Sequence, residues 1–357
     1  MRAVLATVLL LASALDAHAE ADHAAIARAA LREVIRPGYA VLAERAASLN
    51  ERVAALCTEP SSSSLEAGRD SFAAAVAAWS NVEILRFGPI TEDRRHERLF
   101  YWPDPKGLGE RQIKDMLAKR EETVTRVDAL AGKSLALQGL PALEYLLYGD
   151  GAETLAEGAG DGAFRCAFAR AIAANVETIA ESVVEDWREG SPYDKAFLSP
   201  GPADPIYRAP KEVTLDLFKS LTSGLELVRD QKLGKPLGAA PDEAKPRLAP
   251  FWRSGLSLAN AAGNLSGVRA LFAKGGFSGL VAADSPGVED SVLFDLDHAI
   301  EVLTGIDVPM ARVVEDEALR GRIEALRVSL KSAGRTAADA ISRSAGLAFG
   351  FNAMDGD

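Results

Sequence analysis

Trp79, Glu83 and Arg86 stand at i, i+4 and i+7 in an Ala-rich run, so a helix through them would present an indole, a carboxylate and a guanidinium from one side. That trio can hold a polar ligand, or simply form a surface ion pair worth under about 1 kcal/mol. A second group, Phe100-Tyr101-Trp102-Pro103-Asp104, gathers aromatics in a proline-containing loop, where helix packing does not account for them; aromatics so placed line pockets or cap a bundle end. A third, His298-Ala299-Ile300-Glu301, is a literal His-x-x-Glu with Asp295 and Asp297 beside it. Spacing of i, i+3 puts both donors on one side of a helix, within reach of one ion, although four-residue patterns of this kind are also common on solvated faces. His96, in the charge-dense run from Asp93 to Arg98, reads as a solvated loop residue, with reach into the cleft beside the aromatic cluster as the alternative, and His23 has no evident role.

Other chemistries find no residues to carry them. There is no Gly-rich phosphate cradle, no His-Glu-x-x-His, no serine at a nucleophile elbow, and no cysteine with a histidine at suggestive spacing. Two Cys and four His cannot build a four-thiolate zinc site, an iron–sulfur cluster or a histidine cage, so a metal would have to rely on carboxylates. Against 40 Lys+Arg stand 51 Asp+Glu, a net charge of −11 that disfavours nucleic acid and anionic lipid faces.

The chain opens as a secretory leader: Met1-Arg2 is a short positive start, Ala3 to Leu15 are apolar, and Ala17-His18-Ala19 is a small-x-small cleavage site. A run of thirteen residues gives about 20 Å of helix, short of a hydrocarbon core of roughly 30 Å, so residues 1–19 read as a signal peptide rather than an anchor and the mature chain as soluble and exported. Cys57 and Cys166 then reach an oxidising compartment as an even pair and are expected to join, two separate buried thiols being the alternative.

These groups have to be positioned by helices. Of the 357 residues 48% are hydrophobic and 25% charged, as in an ordinary folded protein, and apolar residues recur at three- and four-residue spacing through nearly every long segment, which predicts an all-α fold. Helices are expected over 22–56, with a kink or break at Pro37, and over 64–87, 109–130, 134–147, 161–188, 211–229, 242–272, 288–303 and 315–344. Five prolines between 192 and 210 read as a non-helical linker between a first helical bundle, 20–191, and a second, 211–357. Central tryptophans at Trp79 and Trp252, and Ala142-Leu143-Glu144 laid over Ala299-Ile300-Glu301, suggest that the bundles are a duplication with internal pseudosymmetry; Ala-rich helices also align by composition alone.

Four runs, taken in order, resemble the imelysin family: Ala78-Trp79-Ser80-Asn81-Val82-Glu83 through Arg86-Phe87-Gly88-Pro89; Phe100-Tyr101-Trp102-Pro103-Asp104 with Gly107 and Arg111-Gln112; Gln138-Gly139-Leu140-Pro141-Ala142-Leu143-Glu144-Tyr145-Leu146-Leu147-Tyr148-Gly149; and Gly224-Leu225-Glu226-Leu227-Val228-Arg229-Asp230-Gln231-Lys232-Leu233-Gly234-Lys235-Pro236, followed by Trp252-Arg253-Ser254-Gly255-Leu256. The resemblance covers essentially the whole mature chain. It implies a secreted bacterial protein of two pseudosymmetric helical bundles, associated with iron acquisition and historically classed with metallopeptidases. The family's hallmark is Gly-x-His-x-x-Glu, whose His and Glu bind an ion; here the imidazole position holds Pro141 and only Glu144 remains.

The resulting expectation is a periplasmic, non-catalytic binding protein whose ligand sits where the bundles meet. Its site would draw on Glu83, Arg86, Trp102, Asp104 and Glu144 from the first half, and on Arg253 and Glu226 from the second. Such a carboxylate-rich, His-poor set suits iron or another hard cation better than zinc. The rival expectations are a zinc peptidase built on His298 and Glu301, and a scaffold that contacts an iron-uptake partner at the membrane through the aromatic loop.

Overall fold

A computed structural model describes residues 21–347, and every regular element among them is helical. The expected signal peptide lies outside the described residues. No described helix is long and apolar enough to cross a membrane.

Proline chemistry shapes the helices more than the apolar periodicity does. The first helix runs through Pro37 without breaking: His23–Ala30 passes into a π-helical stretch, Leu31–Ile35, and on into Arg36–Thr58. Proline has no N–H and its ring crowds the carbonyl one turn back, and a widened turn ahead of it relieves both problems. The same device recurs where Pro210–Glu226 passes into the π-helical Leu227–Gly234 and then Lys235–Leu237, which contains Pro236. That helix therefore extends beyond the expected end at 229.

Elsewhere the expected helices are shorter. The stretch 109–130 is split into Leu108–Lys119, a 3-10 turn Glu122–Thr125 and Val127–Leu130, because Arg120 turns left-handed at φ 49°. The stretch 134–147 opens with a 3-10 turn, Leu135–Leu137, before the helix Leu140–Tyr148. In 242–272 only Ser257–Lys274 is a continuous helix; Pro246 and Pro250 keep the preceding chain in turns, and Trp252 sits in that turn region, not mid-helix. Met310–Glu315 and Glu317–Ser344 are separate helices, the second capped by Asp316.

The proline-rich stretch is not a bare linker. Pro192–Leu198 is helical with Pro192 in its first turn, where the missing N–H costs nothing, and Ser191 caps it. Its Phe197 stacks on Phe87 and meets Trp187 edge-on, while Asp194 takes a hydrogen bond of 2.5 Å from Arg36.

Arg36–Thr58 packs against both Ser62–Val82 and Asp161–Asp186, and Cys57 and Cys166 are joined by a disulfide across this group. In the second half Ser257–Lys274 packs on Val288–Thr304, which packs in turn on Glu317–Ser344. The division at 192–210 is not clean in space, since His23–Ala30 lies against Pro210–Glu226.

The two halves meet chiefly where Ser62–Val82 crosses Ser257–Lys274. Glycines set that crossing: a Cβ on Gly263 would lie 2.4 Å from the Ser80 Cβ, and one on Gly267 only 2.2 Å from the Asn81 carbonyl oxygen. A backbone oxygen cannot step aside, so Gly267→Ala must push the helices apart. Overpacking of this kind costs about 1–3 kcal/mol, more than the ~1 kcal/mol that alanine gains in helix propensity. Urea unfolding should show Gly267→Ala less stable than the wild type, and an equal or higher midpoint would contradict this account of the crossing.

Candidate functional site

Glu83 is the residue at which helix Ser62–Val82 ends, and it is fully buried. Arg86 consequently falls beyond the helix, and the expected one-sided trio with Trp79 does not form. Glu83 looks instead into the second half, where the π-helical Leu227–Gly234 delivers Lys232, 1% exposed, and helix Ser257–Lys274 delivers Asn260 and Asn264. The Lys232 ammonium donates to Glu83 Oε2 at 2.6 Å and to Asn260 Oδ1 at 2.5 Å. Asn260 and Asn264 donate to the same carboxylate oxygen at 3.1 and 3.0 Å, and each also reaches Ser80, at its hydroxyl and its carbonyl respectively.

Burial pushes the Glu83 carboxyl up, but the Lys232 charge, its hydrogen bond and that of Asn264 outweigh it, so the carboxyl is held below the usual range. Burial lowers Lys232 to about 8 against the pull of Glu83, so both groups carry charge at neutral pH. His96 belongs to the same layer and is buried rather than solvated. Its Nε2 lies 3.4 Å from the Glu83 carbonyl oxygen, and its ring packs 5.1 Å from that of Trp79.

On the other side of Lys232 lie the Phe100 and Trp102 rings, 5.3 and 5.5 Å from its nitrogen. These rings begin the wall of a cavity of about 250 Å³ formed by residues 100–110, 141–145 and 247–253. The Trp102 indole N–H donates to the Leu248 carbonyl at 3.1 Å, tying the aromatic segment to the second half. Asp104 accepts from the Leu108 and Gly109 backbone N–H groups at 2.8 and 2.7 Å, so it starts the helix that carries Glu110. Glu110 meets Arg253 at 2.5 Å and Lys114 at 2.7 Å. The Arg253 guanidinium lies 4.1 Å over the Trp252 ring and 5.1 Å from Tyr145, and Arg247 approaches Trp252 at 5.1 Å.

Glu144 enters the cavity from helix Leu140–Tyr148, a helix buried on most of its circumference. Gly139 lets that helix start against the Leu99 carbonyl, which a Cβ would approach to 2.2 Å, and Pro141 occupies its first turn. At 2% exposure Glu144 needs partners, and its Oε1 accepts from Ser254 N at 2.9 Å and Ser254 Oγ at 2.8 Å. Burial raises its pKa, while Ser254 and Arg253 pull it back in part.

The structure thus brings Trp102, Asp104, Glu144 and Arg253 into one cavity, with Glu83 one layer behind through Lys232. Arg86 lies elsewhere, in a groove of about 220 Å³ beside Asp216 and Lys219, and Glu226, at the end of helix Pro210–Glu226, does not line the cavity. His298 and Glu301 are exposed on Val288–Thr304; the His298 ring stacks on exposed Phe294, and Asp297 pairs with Arg269. A catalytic zinc needs three protein ligands as a rule. Pro141 offers no donor, one oxygen of Glu144 is engaged by Ser254, and among the described residues no three His, Cys, Asp or Glu side chains converge. The residues present do not fit such a metal.

The imelysin family model matches residues 35–336. The chain belongs to the imelysin family. Among solved structures, this imelysin is similar to an imelysin-like protein from Psychrobacter arcticum 273-4, at 20% identity and TM-score 0.73, over 92% of this chain and 97% of that one. It is also similar to a protein named as an iron-regulated protein A precursor from Parabacteroides distasonis ATCC 8503, at 14% identity and TM-score 0.74, over 89% and 95%. At these identities the likeness shows the fold alone. A comparison with curated protein sequences gives no match.

Reading the sequence for motifs missed Lys232, Asn260, Asn264, Ser254 and Glu110. A signal was present: Leu225, Val228 and Lys232 share one face at i, i+3 and i+7, which places a lysine on an apolar stripe, and Asn260 and Asn264 sit one turn apart.

His96 gives this layer a pH signature. Burial, aided by the Arg86 charge, lowers its pKa from 6.5 to about 4, so between those values the unfolded chain holds the extra proton. Stability present above pH 6.5 should fall as the pH drops towards 4, by up to ~1.4 kcal/mol per pH unit for this one group. Urea unfolding of His96→Gln across that window should show a shallower fall than the wild type. Parallel curves would remove His96 as the source.

Proposed function

We propose that this imelysin is a non-catalytic periplasmic binding protein of iron acquisition, with the cavity between residues 100–110, 141–145 and 247–253 as its ligand site. The observation that carries the reading is the make-up of that cavity. Aromatic rings from both halves and two guanidiniums from the second surround a buried carboxylate, at a place where position 141 holds a proline with no donor for a hydrolytic metal.

The leader-like start at residues 1–19 supports export, and the name of the Parabacteroides distasonis structure, an iron-regulated precursor, supports the iron context. Glu144 and Asp104 offer the oxygen donors that hard cations favour. They are only two, and both already accept hydrogen bonds, so the site suits a small organic component of iron acquisition better than the bare ion. The aromatic segment serves this reading better than that of a docking loop for a membrane partner, because Phe100 is buried and the Trp102 indole is bonded inward.

The purified mature chain should leave casein intact with added zinc, with and without a chelator. A strain lacking the chain should grow more slowly under iron depletion and be rescued by the wild type but not by Trp252→Ala. Chelator-sensitive cleavage, or growth indifferent to the deletion, would overturn the proposal.

A further inference from the structure

We infer that the cavity takes a small planar carboxylate, clamped by Arg253 and stacked against the aromatic wall around Trp252. This rests on the cavity being the ligand site and adds the chemical class of what enters it.

The charges around the cavity are unequal in what they can still do. Asp104 is engaged by two backbone N–H groups and Glu144 by Ser254, so neither acid seeks a cation. Arg253 differs from them. Its guanidinium is 15% exposed, laid flat by Trp252 and Tyr145, and bonded through one nitrogen to Glu110 Oε2. Glu110 in turn holds Lys114 at its other oxygen, 2.7 Å away. A ligand carboxylate can therefore replace Glu110 as the partner of Arg253 without leaving Glu110 unpaired, and the planar fork of arginine suits a carboxylate in two-point contact. Glu110 behaves as an internal stand-in for the ligand's acid and competes with it. Arg247, 5.1 Å from the Trp252 ring, adds a second positive charge. A volume of about 250 Å³ lies below the usual range for ligand pockets, which limits the occupant to roughly one ring and its acid group.

Tryptophan fluorescence titration tests this with three probes: benzoate, which has ring and acid; acetate, which has the acid alone; and benzyl alcohol, a neutral ring. Benzoate should bind the wild type at least about 10-fold more tightly than either fragment, the effect of one charge-assisted pair. Arg253→Gln should cost benzoate about 10-fold or more, and Arg253→Lys less, because it keeps the charge but not the fork. Glu110→Gln should tighten benzoate binding by about 3-fold or more and leave benzyl alcohol unchanged, since it removes a charged competitor. Benzyl alcohol binding as well as benzoate, with Arg253→Gln silent, would overturn the carboxylate class while leaving the cavity as a ligand site. No response to any of the three would overturn both. Should Arg253→Gln fail to fold, Glu110→Gln decides alone, and unchanged or weaker benzoate affinity there overturns the inference.

Discussion

Two opposite charges, Glu83 and Lys232, are held entirely out of water at the point where the two halves of the chain meet. Desolvating such a pair costs several kcal/mol per ion, and mutual attraction offsets that only where fixed hydrogen bonds complete the coordination. Asn260 and Asn264 supply such bonds to one carboxylate oxygen, Oε2, while Oε1 is buried without a hydrogen-bond partner among the described residues; Gly263 and Gly267 let their helix come close enough to Ser80 and Asn81 for this. The π-helical turn ahead of Pro236 adds the lysine. Removing Glu83 or Lys232 leaves the other charge buried and unpaired, so the contact between the halves depends on this pair.

The cavity proposed as the ligand site inherits this geometry. Lys232 touches the rings of Phe100 and Trp102 from behind, and Trp102 in turn hydrogen-bonds across to Leu248. A wall built in this way is pre-organised, which lowers the entropy cost of binding. The same precision is seen at the motif position, where the residues are fixed by a helix start and by hydrogen bonds. Pro141 starts the helix that bears Glu144, and Glu144 is pinned by Ser254, a hydrogen-bonded carboxylate in a water-poor site and not half of a metal clamp.

The helices themselves were legible, because Ala-rich segments with regular apolar spacing have little else to become. Boundaries went astray where proline acted against expectation. Pro192 starts a helix instead of forbidding one, Pro37 and Pro236 are absorbed by widened turns, and Pro246 and Pro250 end a periodic pattern that looked continuous. In the site, Trp102, Asp104, Glu144 and Arg253 were legible as a group through the family resemblance, but Arg86 was misplaced by assuming that the helix continued past Val82. Lys232 escaped notice because lysine is normally a surface residue, and its burial depends on partners more than 25 and nearly 150 residues away, which no local pattern encodes.

The most direct measurement is a double-mutant cycle on Glu83 and Lys232, read as the free energy of urea unfolding. Glu83→Leu and Lys232→Met should each destabilise by about 3–5 kcal/mol, and the double variant should lose clearly less than the sum of the two, because an apolar pair replaces a buried ion pair better than a lone charge does, even with Asn260 Oδ1 left unpaired. Single variants within ~0.5 kcal/mol of the wild type, or losses that simply add, would contradict the claim that this pair holds the halves and their cavity in place.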